Sequence, residues 1–277
     1  MLEIYDTHTH VVSGDVGRYP LVATTDDSQS WHRDRPVDAE ELVALADDAG
    51  VHQVAFVQAI SCYGDDNRYA LACARRHPAR AVAVGTVSTD HPDAVASLRR
   101  DVLEFAMRGV RILSPDPSAA PFADPPMRRV VTAAADLAIP VVVLALPHQL
   151  ASVRTLVTAF PSVSFVLDHC GFADFTGAAP FAHADDLFAL ARAANVVCKV
   201  SSINLQATAE PRALWRTLVD RFGSDRLMWG SDHPHTPAPD YATLVDLART
   251  TTDALGRGER TDVLAATAQR IWPSVIA

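Results

Sequence analysis

Eight strand-sized apolar runs recur along the chain, with helical periods between them. The runs are Leu2–Thr7, Gln53–Gln58, Ala81–Val87, Gly109–Leu113, Val141–Leu146, Ser164–Asp168, Val196–Val200 and Arg226–Gly230. Val, Ile, Leu and Phe dominate them, which fits strands buried on both faces. A helix is predicted after Asp38, an N-cap with Glu41 behind it and Leu42 and Leu45 on one face. A second starts near Asp65 or Asp66 and ends before Pro78, and a third follows Asp90-His91-Pro92. Leu214, Leu218 and Phe222 make one apolar stripe in a further helix, Arg212–Phe222. After the second strand, successive strands lie about 20 to 35 residues apart, the size of one βα repeat. Eight such units predict an α/β fold, a distorted (β/α)8 TIM barrel, in a single domain over residues 1–277. A doubly wound sheet is the rival, but the chain has neither G-x-G-x-x-G nor G-x-x-x-x-G-K-[ST].

Composition removes several functions. The chain has 33 acidic and 24 basic side chains and a net charge of −9. A nucleic-acid partner is therefore not expected, because phosphate binding needs a basic surplus. No apolar run approaches the roughly 20 residues of a membrane span. Met1–Asp6 lacks a basic segment followed by an apolar one, and Cys62, Cys73, Cys170 and Cys198 are scattered. Free thiols and a cytoplasmic location are the expectation. The expected partner is a small molecule. The sequence leaves the oligomeric state open.

In a barrel, chemistry sits at the C-terminal strand ends. The first strand ends in Asp6-Thr7-His8-Thr9-His10. Alternate strand residues share a side, so His8 and His10 converge. Such a pair can hold a divalent metal or donate hydrogen bonds to a substrate oxygen. His169 follows the sixth strand, and Gly171 lets the chain turn there. Asp232 follows the eighth strand, as a catalytic carboxylate or an N-cap. Arg111, inside the fourth strand, must face the site or an internal carboxylate. Lys199, the only lysine, is a Schiff-base candidate or a barrel lysine paired to a carboxylate. The long stretch Val11–Val37 carries Tyr19, Trp31, His32, Arg33 and Arg35 and is expected to be a lid.

These pieces resemble the amidohydrolase superfamily, in its amidohydrolase-related branch with pyrone-dicarboxylate and sugar lactonases. The matching segments include Tyr63-Gly64-Asp65-Asp66-Asn67, Arg108-Gly109-Val110-Arg111 and Asp168-His169-Cys170-Gly171. Lys199-Val200-Ser201 and Trp229-Gly230-Ser231-Asp232-His233-Pro234-His235 complete the set, in order along the whole chain. The resemblance implies hydrolysis of a small lactone, with Asp232 as general base and His8, His10 and His169 polarising the carbonyl. Arg111, Gln58, Tyr63, Lys199, Trp31 and His148 are the expected substrate contacts. Metal-dependent relatives carry a further histidine where this chain has Leu144. The expectation is thus no cofactor, the alternative being one zinc or manganese ion on His8, His10 and Asp232. A second arginine for a dicarboxylate clamp is missing from Ser114-Pro115-Asp116-Pro117 and from Asn204-Leu205. Alternative functions are a metal-dependent decarboxylase of an aromatic or semialdehyde acid, a lactone isomerase, or a non-catalytic barrel of a biosynthetic pathway.

Overall fold

Eight parallel strands lie side by side in chain order: β1 (Tyr5–Thr9), β2 (Gln53–Val57), β3 (Ala81–Thr86), β4 (Gly109–Leu113), β5 (Val141–Leu144), β6 (Phe165–Leu167), β7 (Val196–Ser201) and β8 (Leu227–Gly230). The computed structural model describes residues 2–22, 31–114, 122 and 124–273. Each strand is followed by a helix: α1 (Ala39–Asp48), α2 (Arg68–Arg76), α3 (Ala94–Phe105), α4 (Pro125–Asp136), α5 (Leu150–Ala159), α6 (Asp185–Leu190), α7 (Pro211–Phe222) and α8 (Tyr241–Thr251). This is the predicted (β/α)8 barrel. None of the described helices is long and apolar enough to cross a membrane.

Local chemistry sets the boundaries. The Asp38 carboxylate accepts the Glu41 N–H at 2.8 Å and starts α1. Asp124 does the same for Met127, with Pro125 in the first turn of α4. The barrel interior packs Val57, Val84, Val142, Val166 and Met228 against Trp272, which comes from the C-terminal helical segment.

β1 runs later than the predicted Leu2–Thr7, because its residues are all buried and Asp6, Thr7 and Thr9 find partners there. Asp6 accepts the Ser231 N–H at 2.8 Å and the Tyr241 hydroxyl at 2.9 Å. Thr7 donates to the Trp229 carbonyl and Thr9 to the Ala55 carbonyl. Satisfied polar groups are tolerated inside, so a run that looks too polar for a strand forms one. The β1–β2 register shifts between Asp6 and Thr9, which re-aims the end of β1.

β8 and β1 meet through a single bridge, Thr9 to His233, instead of a ladder. Around it the Asp232 N–H donates to the His8 carbonyl and the His10 N–H to the His233 carbonyl, both at 2.8 Å. This seam brings the two ends of the chain together. Of the expected lid Val11–Val37, residues 23–30 lie outside the described residues. Its two ends are tied by the Val12 N–H to the Val37 carbonyl at 2.8 Å.

Candidate active site

Three buried donor atoms converge across the seam. His10 Nε2 lies 3.4 Å and His8 Nε2 3.6 Å from the same Asp232 oxygen, Oδ1. Two ligands of a tetrahedral zinc ion, each about 2.0–2.1 Å from it, lie about 3.3 Å apart. His8, His10 and Asp232 therefore have the spacing of a metal-binding set, all within 4.8 Å of one another.

Hydrogen bonds decide which nitrogens are bare. His10 Nδ1 lies 2.9 Å from the Val57 carbonyl. A carbonyl only accepts, so Nδ1 carries the proton and Nε2 presents a lone pair. His169 Nδ1 lies 2.7 Å from Ser201 Oγ. Ser201 gives its hydroxyl hydrogen to Asn204 Oδ1 at 3.0 Å, so His169 is again the donor through Nδ1. His8 Nε2 is buried without a hydrogen-bond partner among the described residues. Burial pushes His8 well below the usual histidine range, with the Lys199 charge adding to the effect. Burial likewise lowers His169 to about 4. A bare imidazole Nε2 is a ligand or an acceptor.

Asp232 is ionised. Burial opposes its charge, yet His169, His10, His235 and His8 together hold its carboxyl well below the usual range. Its backbone is left-handed at φ 59°, unusual for a residue with a Cβ. Its second oxygen, Oδ2, accepts from Thr236 Oγ at 2.9 Å and from His235 Nδ1 at 3.1 Å. His235, half-buried at the rim, was not picked out from sequence. The signal was there, three residues beyond Asp232 within the motif. His169 and Cys170 are also left-handed, both at φ 52°, which turns the His169 ring toward His8 at 4.6 Å between centroids.

A cavity of about 330 Å³ opens beside these groups. Trp31, Arg111, Leu144, Phe172 and His235 contribute to its wall, together with His10, His169 and Asp232. Trp31 is fixed by its indole N–H donating to Ser61 Oγ at 3.1 Å. Leu144 is also a wall residue.

The other expected substrate contacts are placed elsewhere. The Gln58 amide donates to the carbonyls of Gly64 and Asp66 and shapes the loop after β2. The Tyr63 hydroxyl accepts the Ser13 N–H at 2.8 Å. His148 is exposed, on the turn Pro147–Gln149 that leads into α5. Lys199 is fully buried beneath the site, 2.8 Å from Asp168 Oδ1, so it is the carboxylate-paired lysine and not an open nucleophile. Arg111 both faces the cavity and donates through Nε to Asp168 Oδ2 at 2.8 Å. Burial alone would raise Asp168, but Lys199, His8 and Arg111 outweigh it and hold it well below the usual range.

Comparisons with known proteins identify the family and the fold. A family model described as Amidohydrolase matches residues 5–274. An L-fucono-1,5-lactonase of Burkholderia ambifaria is 32% identical over 210 residues, covering 72% of this chain and 69% of that protein. A solved amidohydrolase of Burkholderia multivorans with bound zinc has a TM-score of 0.79 at 24% identity, covering 97% of this chain and 98% of its own. A probable 2-pyrone-4,6-dicarboxylic acid hydrolase of Acinetobacter baumannii, with citric acid bound, has a TM-score of 0.77 at 18% identity, with the same coverage. The expectation of no cofactor is overturned: a structural relative holds zinc, and His8, His10 and Asp232 form a group that could hold a metal ion here. Three protein ligands suffice for catalytic zinc.

Proposed function

The chain belongs to the amidohydrolase family, and on that premise we propose that it hydrolyses the ring ester of a small, neutral, sugar-like lactone. The observation that carries this reading is the left-handed Asp232, its Oδ1 3.4 Å from His10 Nε2 and 3.6 Å from His8 Nε2, beside a small cavity at the strand ends. The kinship to a fuconolactonase supports the lactone. Neutrality is supported by Arg111, the only cation among the described wall residues other than histidines, whose Nε is already committed to Asp168. Trp31, Leu113, Leu144 and Phe172 give the wall an apolar face.

His8, His10 and Asp232 would hold a zinc or manganese ion. When bound, that ion supplies Lewis acidity toward the ring carbonyl and a lowered pKa for water. Asp232 takes the proton of the attacking water. It then returns the proton to the ring oxygen as the C–O bond breaks, so the product is the open hydroxy acid. Trp31 and Phe172 hold the ring, and His235 connects Asp232 Oδ2 to the rim. Residues 1–277 act as one domain, with Trp31 the part of the first loop that covers the cavity.

A panel of aldonolactones and a pyrone dicarboxylate, followed by proton release with product identification, tests the reading. Turnover of a neutral lactone at least about tenfold above the dicarboxylate is expected. Carbon dioxide release from an aromatic acid, with no lactone opened, would replace it with the decarboxylase.

A further inference from the structure

The cavity has two chemically different sides. With the strands in chain order, the β4–β5 pair lies across the barrel mouth from the β8–β1 seam. On the seam side stand His10, Asp232 and His235. On the far side stand Leu113 and Leu144, the last residues of β4 and β5. The register pairs Leu113 directly with Leu144, as it pairs Arg111 with Val142 one layer deeper. Alternate strand residues share a side, and Ile112 and Val143 are buried on the opposite face. Neighbouring strands lie about 4.8 Å apart, so the two leucines form one continuous shelf. Both are half-buried, as is Phe172 beside them on the turn after β6.

A substrate whose carbonyl sits at the seam lays its far end on this shelf. The leucine side chains neither donate nor accept hydrogen bonds. Arg111, the next side chain down on that face of β4, can only donate, and its Nε is taken by Asp168. His169, from the end of β6, is turned toward His8. A hydroxyl over the shelf leaves water and finds no side-chain acceptor on that side among the described wall residues. An unpaired hydroxyl is penalised there, whereas a methyl group gains from leaving water.

We propose that Leu113 and Leu144 determine specificity: they receive a methyl or other short alkyl group pointing away from the carbonyl, and they select against the same lactone carrying a hydroxymethyl group there. This rests on the lactone hydrolysis read above and narrows its substrate class to lactones with a deoxygenated far end. The two leucines take no part in bond making or breaking; they decide which substrate is held.

Two δ-lactones that differ only in this group, methyl against hydroxymethyl, test it in the wild-type protein supplied with zinc. The methyl lactone is expected to have the higher kcat/KM by about 10- to 100-fold, the range for one group in an apolar pocket. Equal values, or a preference for the hydroxymethyl lactone, overturn the proposal. Leu144→Asn keeps a similar shape and adds a donor and an acceptor. It is expected to shrink the ratio at least about tenfold, and Leu113→Asn is read in the same way. Both lactones slowed equally, with the ratio unchanged in a folded variant, overturns the assignment to that leucine, because a merely structural role slows both alike. Leu144→Met stays apolar and is expected to keep the wild-type preference; its loss there overturns the proposal too. If neither asparagine variant folds, the wild-type ratio and Leu144→Met still decide. A wild type that opens lactones without this preference sinks only this proposal, whereas one that opens none sinks the reading on which it rests.

Discussion

Gly230 lies so close to His8 that a Cβ built on it would fall 2.8 Å from the His8 Cβ. The last strand can approach the first only because this position has no side chain. Gly230→Ala should push His8 off its place and strain the seam. Overpacking of this kind costs about 1–3 kcal/mol. A lower melting temperature and at least about a tenfold loss of zinc affinity are expected. A variant with wild-type affinity would show that His8 tolerates the shift.

Asp232→Asn keeps the shape of the carboxylate and removes its basicity. Turnover should fall by about 10²- to 10⁴-fold, the range for loss of a general base. Circular dichroism should still report a folded barrel. Activity within tenfold of wild type would take Asp232 out of the base role.

His10→Gln removes a donor atom that Val57 holds in the ligating form. Zinc affinity should fall further than the about 10- to 100-fold associated with an outer partner. Elemental analysis after dialysis, alongside wild type, reads the loss. Equal zinc content in both would move the ion elsewhere.

Trp31→Ala opens one wall without touching Asp232. KM should rise by about tenfold while kcat stays within a few-fold, the pattern for binding shared by ground and transition states. A loss confined to kcat would contradict a simple wall.

Stability should fall on acidification below neutrality. Histidines titrate near 6.5 in an unfolded chain. Burial lowers His169 and His233 to about 4 in the fold, and His8 also lies well below its usual range. Burial, aided by the Arg111 and Lys199 charges, outweighs Asp232 and Asp168, which favour the charged His169 ring. Between pH 6.5 and 4 the unfolded chain binds more protons, so stability rises with pH across that window. His169 alone contributes about 3 kcal/mol over the full window. Asp6 works the other way below pH 6, because burial raises it to about 6. Three histidines outweigh one carboxylate, so the melting temperature should be lower at pH 5 than at pH 7. A flat profile would mean that these rings are solvated.

The barrel was legible because strands buried on both faces carry their own apolar signature. The convergence of His8, His10 and Asp232 was legible too, since alternate residues share a side and closure makes β1 and β8 neighbours. The start of β1 was not, because Asp6 and Thr9 are buried with partners contributed by distant strands. Protonation was equally hidden. Whether His10 offers a lone pair depends on the Val57 carbonyl, and His169 depends on a chain through Ser201 and Asn204. No spacing rule reports such contacts. For the same reason, weight placed on Leu144 as a missing ligand led to the expectation of no metal. Gln58 and Tyr63 sit in a motif that reads as a pocket, yet the Gln58 Nε2 and the Tyr63 hydroxyl bond backbone groups.

The β1–β8 seam has a consequence for how the fold comes apart. Its backbone pairing is the sparsest in the described sheet, and it joins segments from opposite ends of the chain. An ion gripped by His8 and His10 on one side and Asp232 on the other would act as a clasp across that gap. Amide hydrogens of β1 and β8 should then exchange more slowly in the zinc-loaded protein than after chelation, while those of β3 and β4 change little. The atom that would supply the Lewis acidity would also be the one that keeps the seam from opening.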